Sequence, residues 1–216
     1  MAGSKLLYLV RIILAIFLFL LTLFVFVYIA NEIVLEKETG FDTAIIHSIS
    51  SLDSPGATSV MIFFTFFGSH IFLFPAYIVL IIGLWIKKNK RLAVYVTAIG
   101  LTSTAILFSL KTIFQRHRPL DPLIRNVTGF SFPSGHSFSS FTFYGLIAYI
   151  LWQTNISKTL KITLSILLFL FAATIAFSRV YLQVHFPSDV VAGFCLSVVW
   201  LIVSFWILRI IKVEFK

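Results

Sequence analysis

Three short clusters of charged and polar residues interrupt the second half of an otherwise apolar chain. The first runs from Lys111 through Arg116 and His117 to Arg118-Pro119. The second is Phe132-Pro133-Ser134-Gly135-His136-Ser137. The third is Ser178-Arg179, then His185 and Asp189. Arg presents paired donors that match a phosphate, and Lys supplies a point charge. Pro, Ser and Gly ahead of an apolar run open a helix, and the first N–H groups of a helix attract anions. His136 stands at that start, where it can move a proton near neutral pH. His185 and Asp189 are four residues apart, so a helical turn brings carboxylate to imidazole. Pro187 between them fits the first turn of a helix. Lys111 and Arg118, seven apart, are expected near one helix face, on a helix that stops about Pro119. Three cations, two histidines and one carboxylate are what phosphoryl transfer needs: charge on the equatorial oxygens, a nucleophile, and an acid in line with the leaving group.

The elements that must hold these groups are membrane helices. The chain has 216 residues, 59% hydrophobic and 12% charged, with mean hydropathy +1.02. Soluble domains carry roughly twice that share of charge. The composition predicts one integral membrane domain over residues 1–216. Its spans are expected at about 12–31, 57–86, 92–112, 137–153, 161–178 and 189–209; all but the longer second are near the roughly 20 residues a bilayer requires. The apolar runs do not alternate, which excludes a β-barrel. Span two reads as one tilted or kinked helix, interrupted by Gly68-Ser69-His70 and Pro75. Phe41, Ile45, Ile49 and Leu52 recur at helical spacing with Asp42, Ser48 and Asp53 between them. That pattern predicts a short amphipathic helix within 40–53 on the outer surface, either guiding a lipid or packed as a lid.

Seventeen Lys and Arg against eight Asp and Glu give a formal charge of +9. In a soluble chain that balance would suggest nucleic acid. Here the cations flank apolar runs, so it points to membrane orientation and an anionic lipid partner, with no nucleic acid. Placing both termini in the cytoplasm puts eleven of them inside, as the positive-inside rule asks. Lys111, Arg116, Arg118, Arg125 and Arg179 then gather outside, against the bias, and costly charges at a membrane boundary usually bind something. The remaining candidates read blandly. Arg116, His117 and Arg125 are taken as loop or headgroup contacts, Asp121 as a turn residue and His70 as a satisfied polar group. His47 is expected to be solvated, and Cys195 a small buried side chain without a disulfide or metal role.

The order and spacing of the three clusters resemble the signature of the type 2 phosphatidic acid phosphatase (PAP2) superfamily: K-x6-R-P, P-S-G-H and S-R-x5-H-x3-D. Lys111, Arg118 and Pro119, Pro133 to His136, and Ser178, Arg179, His185 and Asp189 match it. The resemblance implies an all-α, six-transmembrane-helix bundle with a PAP2/haloperoxidase-like core. It implies that His185 is the nucleophile and forms a phosphohistidine, an assignment that fits a neighbouring Asp189 holding one ring nitrogen protonated. His136 would protonate the leaving oxygen and then activate water. Lys111, Arg118 and Arg179, with Ser134 and the Gly135 N–H, would hold the phosphoryl oxygens. The scheme uses no metal or other cofactor, because three fixed cations take that place and a metal site would want more ligands.

The implied activity is hydrolysis of the terminal phosphate of a lipid phosphate or diphosphate at the outer face of the cell membrane. Undecaprenyl diphosphate, phosphatidylglycerol phosphate and phosphatidic acid are candidates, and a polyprenyl diphosphate suits an outward-facing enzyme that recycles a carrier. Three alternatives compete: phosphotransfer to an acceptor other than water, vanadate-dependent haloperoxidation, and a lipid transporter with a relic site. Six spans argue against the second, and the intact His136, His185 and Asp189 against the third.

Overall fold

In the computed structural model, residues 2–37, 39–125 and 127–211 are described, with side chains from Leu6 onward. They form helices and no strands. The helices are α1 (Ala2–Tyr28), α2 (Gly40–Ser50), α3 (Pro55–Phe66), α4 (His70–Ile86), α5 (Lys90–Phe114), α6 (Gly135–Trp152), α7 (Lys158–Tyr181) and α8 (Pro187–Ile210). A π-helical segment, Ile29–Leu35, continues α1. The starts are written in the sequence. Ser54, Ser69, Asn89, Ser134 and Ser157 each place a side-chain oxygen on an N–H of the first turn of α3 to α7, and Pro55 and Pro187 open α3 and α8. Small polar caps satisfy donors that the helix leaves unpaired, and Pro is pre-shaped for the first turn.

Among the described residues, five stretches are long and apolar enough to cross a bilayer: Leu6–Leu35, Pro55–Ile86, Lys90–Phe114, Lys158–Tyr181 and Pro187–Ile210. The expected fourth span is α6, which has 18 residues and does not reach that hydropathy. Its position explains this. α6 packs against α5, α7 and α8, and Ser137, Ser140 and Thr142 are fully buried in it. Contacts between helices inside a membrane favour small and hydroxyl side chains over the apolar surface that lipid demands.

The second span departs from the single kinked helix expected. It is two helices, broken at Phe67–Ser69, and Pro75 lies inside α4. The break is held by tertiary contacts: Tyr144 Oη donates to the Phe67 carbonyl at 3.1 Å. A side chain on Gly68 would fall 2.4 Å from Ile175 and 2.7 Å from Ser140 Oγ, so glycine lets this turn sit against α6 and α7. Two apolar clusters support the bundle. One joins Leu84, Leu92, Val96 and Ile99 to Leu146 and Leu208. The other joins Leu73 to Phe143, Tyr144, Ala172 and Ile175.

The surface helix α2 forms as predicted, with Ile45 and Ile49 half-buried and Ser48 exposed, but two positions depart from the pattern: Phe41 is exposed and Asp42 is buried at 1% exposure. The reason is pairing: Asp42 meets Arg116 and Ser188, and a paired carboxylate can be buried where a lone one cannot.

Candidate active site

The C-terminal ends of α5 and α7 and the N-terminal ends of α6 and α8 meet at one end of the bundle. Two hydrogen bonds join α6 to α8: Ser134 N–H to the Asp189 carbonyl at 3.0 Å, and Ser137 Oγ to the Val190 carbonyl at 2.8 Å. Gly193 permits the crossing. A Cβ there would fall 2.7 Å from the Ser134 carbonyl oxygen and 2.9 Å from Ser137 Cβ.

Lys111 lies in the last turn of α5, and its Nζ donates to the carbonyls of Phe130 at 2.5 Å and Ser131 at 3.4 Å. The helix ends at Phe114, earlier than Pro119, because Gln115 turns into the left-handed region (φ 48°) with its N–H on the Lys111 carbonyl. Arg118 therefore belongs to the following loop and does not share a helix face with Lys111. Its guanidinium donates to the carbonyls of Gly129 (2.9 Å), Val184 (2.7 Å) and Thr128 (3.2 Å), and Nη1 reaches His185 Nε2 at 3.1 Å. Arg179, 4% exposed, donates from Nη1 to Thr65 Oγ1 at 2.7 Å, and its Nε has no hydrogen-bond partner.

Arg118 faces Nε2 of His185. A guanidinium only donates, so this contact is a hydrogen bond in the tautomer that carries the lone pair on Nε2 and the proton on Nδ1. Burial, followed by the charges of Arg118, Arg179 and Lys111, holds this imidazole well below the ordinary histidine range. A neutral His185 in that tautomer leaves Nε2 free to attack.

Asp189 lies on the Nδ1 side, but less tightly than its spacing suggested. Its Oδ2 is 3.4 Å from Nδ1, and the direction leaves Nδ1 without a hydrogen bond. The carboxylate is fixed by other donors. The Phe186 N–H bonds Oδ2 at 2.9 Å and Arg116 Nη1 bonds Oδ1 at 2.7 Å.

His136 occupies the first turn of α6, and the electrostatics of His185, Arg118, Arg179 and His70 act on it. Gly68 packs against its ring: a Cβ there would lie 3.1 Å from His136 Cδ2. Ser134 is fully buried, and its hydroxyl caps α6 by accepting from Ser137 N–H at 3.4 Å. Gly135 borders Lys111, where an added Cβ would be 4.0 Å from Lys111 Cε. The structure thus brings all eight predicted site residues to one end of the bundle. Among the described residues, no group of three or more His, Cys, Asp or Glu side chains is arranged to hold a metal ion.

A sequence model of the PAP2 superfamily matches residues 90–211, the stretch that carries every one of these groups. The chain belongs to the PAP2 superfamily.

Relatives within this PAP2 family agree. The chain is 32% identical over 159 residues to phosphatidylglycerophosphatase B of Bacillus subtilis, covering 72% of this chain and 77% of that one. It is 31% identical over 134 residues to the putative undecaprenyl-diphosphatase YbjG of Escherichia coli, covering 56% and 63%. The crystal structure of the transmembrane PAP2-type phosphatidylglycerolphosphate phosphatase of Bacillus subtilis superimposes with a TM-score of 0.74 at 29% identity, covering 88% of this chain and 94% of that one. Aquifex aeolicus LpxE gives 0.57 at 26% identity over 76% and 94%.

Two residues of this PAP2 site escaped the sequence reading. Arg116, taken for a loop or headgroup contact, is 11% exposed and bonded to both Asp42 and Asp189 at 2.7 Å. Asp42, placed on the solvated face of α2, is its partner across 74 positions. Arg116 offered one signal, a third cation beside the matched Arg118. Asp42 offered none, because its neighbours fit an ordinary amphipathic helix.

Proposed function

We propose that this protein is a membrane lipid phosphatase that removes the terminal phosphate of a lipid phosphate or diphosphate through a phosphohistidine on His185. The observation that carries the reading is the Arg118 Nη1 contact to His185 Nε2 at 3.1 Å. It fits an unprotonated attacking nitrogen and puts a phosphate-binding cation beside it. Nε2 attacks phosphorus as the bond to the lipid oxygen breaks. His136 gives that oxygen a proton, then takes one from the water that cleaves the P–N bond and frees His185. Lys111, Arg118 and Arg179 hold the charge on the equatorial oxygens. The Arg179 Nε–H, buried without a partner, is a donor of the right kind for such an oxygen. Ser134 and the Gly135 N–H add hydrogen bonds at the start of α6.

The names of the relatives support phosphatidylglycerol phosphate and undecaprenyl diphosphate as substrate classes. We also propose six spans, with α6 crossing inside the bundle, both termini cytoplasmic and the site outside. Phosphate release from a matched panel of these lipids and phosphatidic acid, with His185→Ala in parallel, tests the reading. Release by the wild type and none by the variant is expected; equal release by both would overturn it.

A further inference from the structure

Arg116 is not one of the residues matched to the family signature, yet it joins the catalytic helix ends to the surface helix α2. Its Nη1 donates to Asp189 Oδ1 at 2.7 Å and to Ser188 Oγ at 2.8 Å, and its Nη2 donates to Asp42 Oδ2 at 2.7 Å. The Phe186 ring lies 4.1 Å from its Cζ. Asp42 also accepts from Ser188, at 2.8 Å from the backbone N–H and 2.6 Å from the hydroxyl. Asp42 is the one buried residue of α2. A single fork-shaped cation therefore spans two buried carboxylates, one on α2 and one behind the nucleophile.

We propose that Arg116 and Asp42 are positioning residues for catalysis, so that docking of α2 through Asp42 is a condition of activity. The inference rests on the phosphatase reading with His185 as nucleophile. Two physical arguments carry it. The Asp189 carboxylate is pinned at both oxygens, by Arg116 on Oδ1 and by the Phe186 N–H on Oδ2. Removing one pin frees the group to turn away from His185 Nδ1. The second argument concerns charge. Arg118, Arg179 and Lys111 act on His185, which also interacts with His136; Asp189 lies 3.4 Å from its Nδ1, and Arg116 balances Asp189 from the far side. Without Arg116, the bare carboxylate favours a protonated imidazole, which cannot attack. Asp42 in turn holds the second arm of Arg116, and its own burial is tolerable only while that pair is intact. Docking of α2 and orientation of the nucleophile become one event.

The test uses the purified full chain with phosphatidylglycerol phosphate or undecaprenyl diphosphate in detergent micelles. Arg116→Lys, Arg116→Ala and Asp42→Asn are compared with wild type and His185→Ala. A lysine keeps the charge but cannot span two carboxylates. We expect Arg116→Lys to lower kcat by about 10²-fold, the scale of a catalytic group displaced by about an ångström, with KM little changed. Arg116→Ala shifts the acid limb of kcat/KM to higher pH, and guanidinium ion restores part of its rate. Asp42→Asn, which removes a negative charge, lowers kcat and shifts the limb the other way. A purely structural role would lower the folded fraction and leave the pH profile of the folded enzyme in place.

The proposal is overturned if Arg116→Lys and Asp42→Asn keep the wild-type kcat and profile, or lose activity only in proportion to folded protein. Should Arg116→Ala fail to fold, the other two variants decide. Active wild type beside inactive His185→Ala isolates such a failure from the phosphatase reading. Wild type that releases no phosphate from either lipid overturns both.

Discussion

Replacing Asp189 with Asn changes one atom and should both disable the enzyme and weaken the fold. Asp189 is fully buried, and each carboxylate oxygen serves a donor: Arg116 at 2.7 Å on one side and the Phe186 N–H at 2.9 Å on the other, with His185 Nδ1 at 3.4 Å. An amide has a single acceptor. If its oxygen faces Arg116, its NH2 meets the Phe186 N–H and the protonated Nδ1, donor against donor. If it turns over, the NH2 meets Arg116. Either orientation leaves a buried donor unpaired, at about 1–3 kcal/mol. Arg116 also loses one of its two carboxylates, and breaking a buried ion pair costs about 3–5 kcal/mol. These figures describe overlapping losses, so about 3–5 kcal/mol covers both. The chemical effect is larger. An amide NH2 toward Nδ1 favours the tautomer with the proton on Nε2, where it opposes the Arg118 donor 3.1 Å away. The attacking lone pair is then lost. The same substitution behind a serine-protease histidine costs about 10⁴-fold in kcat through the wrong tautomer, and a loss of that order is expected here. Phosphate release by folded protein, normalised by size-exclusion recovery, measures the first effect; a melting curve in the same detergent measures the second. Asp189→Asn that folds and keeps kcat within about tenfold would refute the claim that a carboxylate on the Nδ1 side supports the reactive tautomer, whose loss is expected to cost about 10⁴-fold.

Three further expectations follow from the same geometry. Gly193→Ala places a methyl 2.7 Å from the Ser134 carbonyl oxygen and 2.9 Å from Ser137 Cβ; overpacking of this kind costs about 1–3 kcal/mol, so both melting temperature and kcat should fall, and an unchanged variant would contradict the tight α6–α8 crossing. Because His185 lies well below the ordinary histidine range, the unfolded chain takes up its proton first as pH drops, so the contribution of this group to stability is intact above about pH 6.5 and falls below it; histidine ¹⁵N spectra of wild type minus His185→Gln should show a neutral ring at pH 6. Hydrolysis should persist in excess EDTA, measured as phosphate release; complete loss restored by a divalent metal would contradict catalysis by Lys111, Arg118 and Arg179.

The three clusters, their order and the apolar runs were legible because each is local. Hydropathy marks a lipid-facing helix, and K-x6-R-P, P-S-G-H and S-R-x5-H-x3-D are short enough to read directly. What escaped depends on long-range packing. Arg116 and Asp42 look like solvated charges until a bond across 74 positions buries them. α6 falls below the usual hydropathy because other helices shield it. Gly193 sits in an apolar run with nothing to mark it, although the crossing of α6 and α8 depends on its missing side chain. Lys111 and Arg118 were placed on one helix by spacing, and a left-handed Gln115, unusual for a non-glycine residue, separated them.

The central claim is that His185 carries the phosphoryl group. The direct measurement is to react purified protein with lipid labelled in its terminal phosphate, quench during turnover in alkali, and locate the label by peptide mass spectrometry. Phosphate on the His185 ring of the wild type, absent in His185→Ala, is the predicted result. Turnover by the wild type with no label on His185 would contradict it.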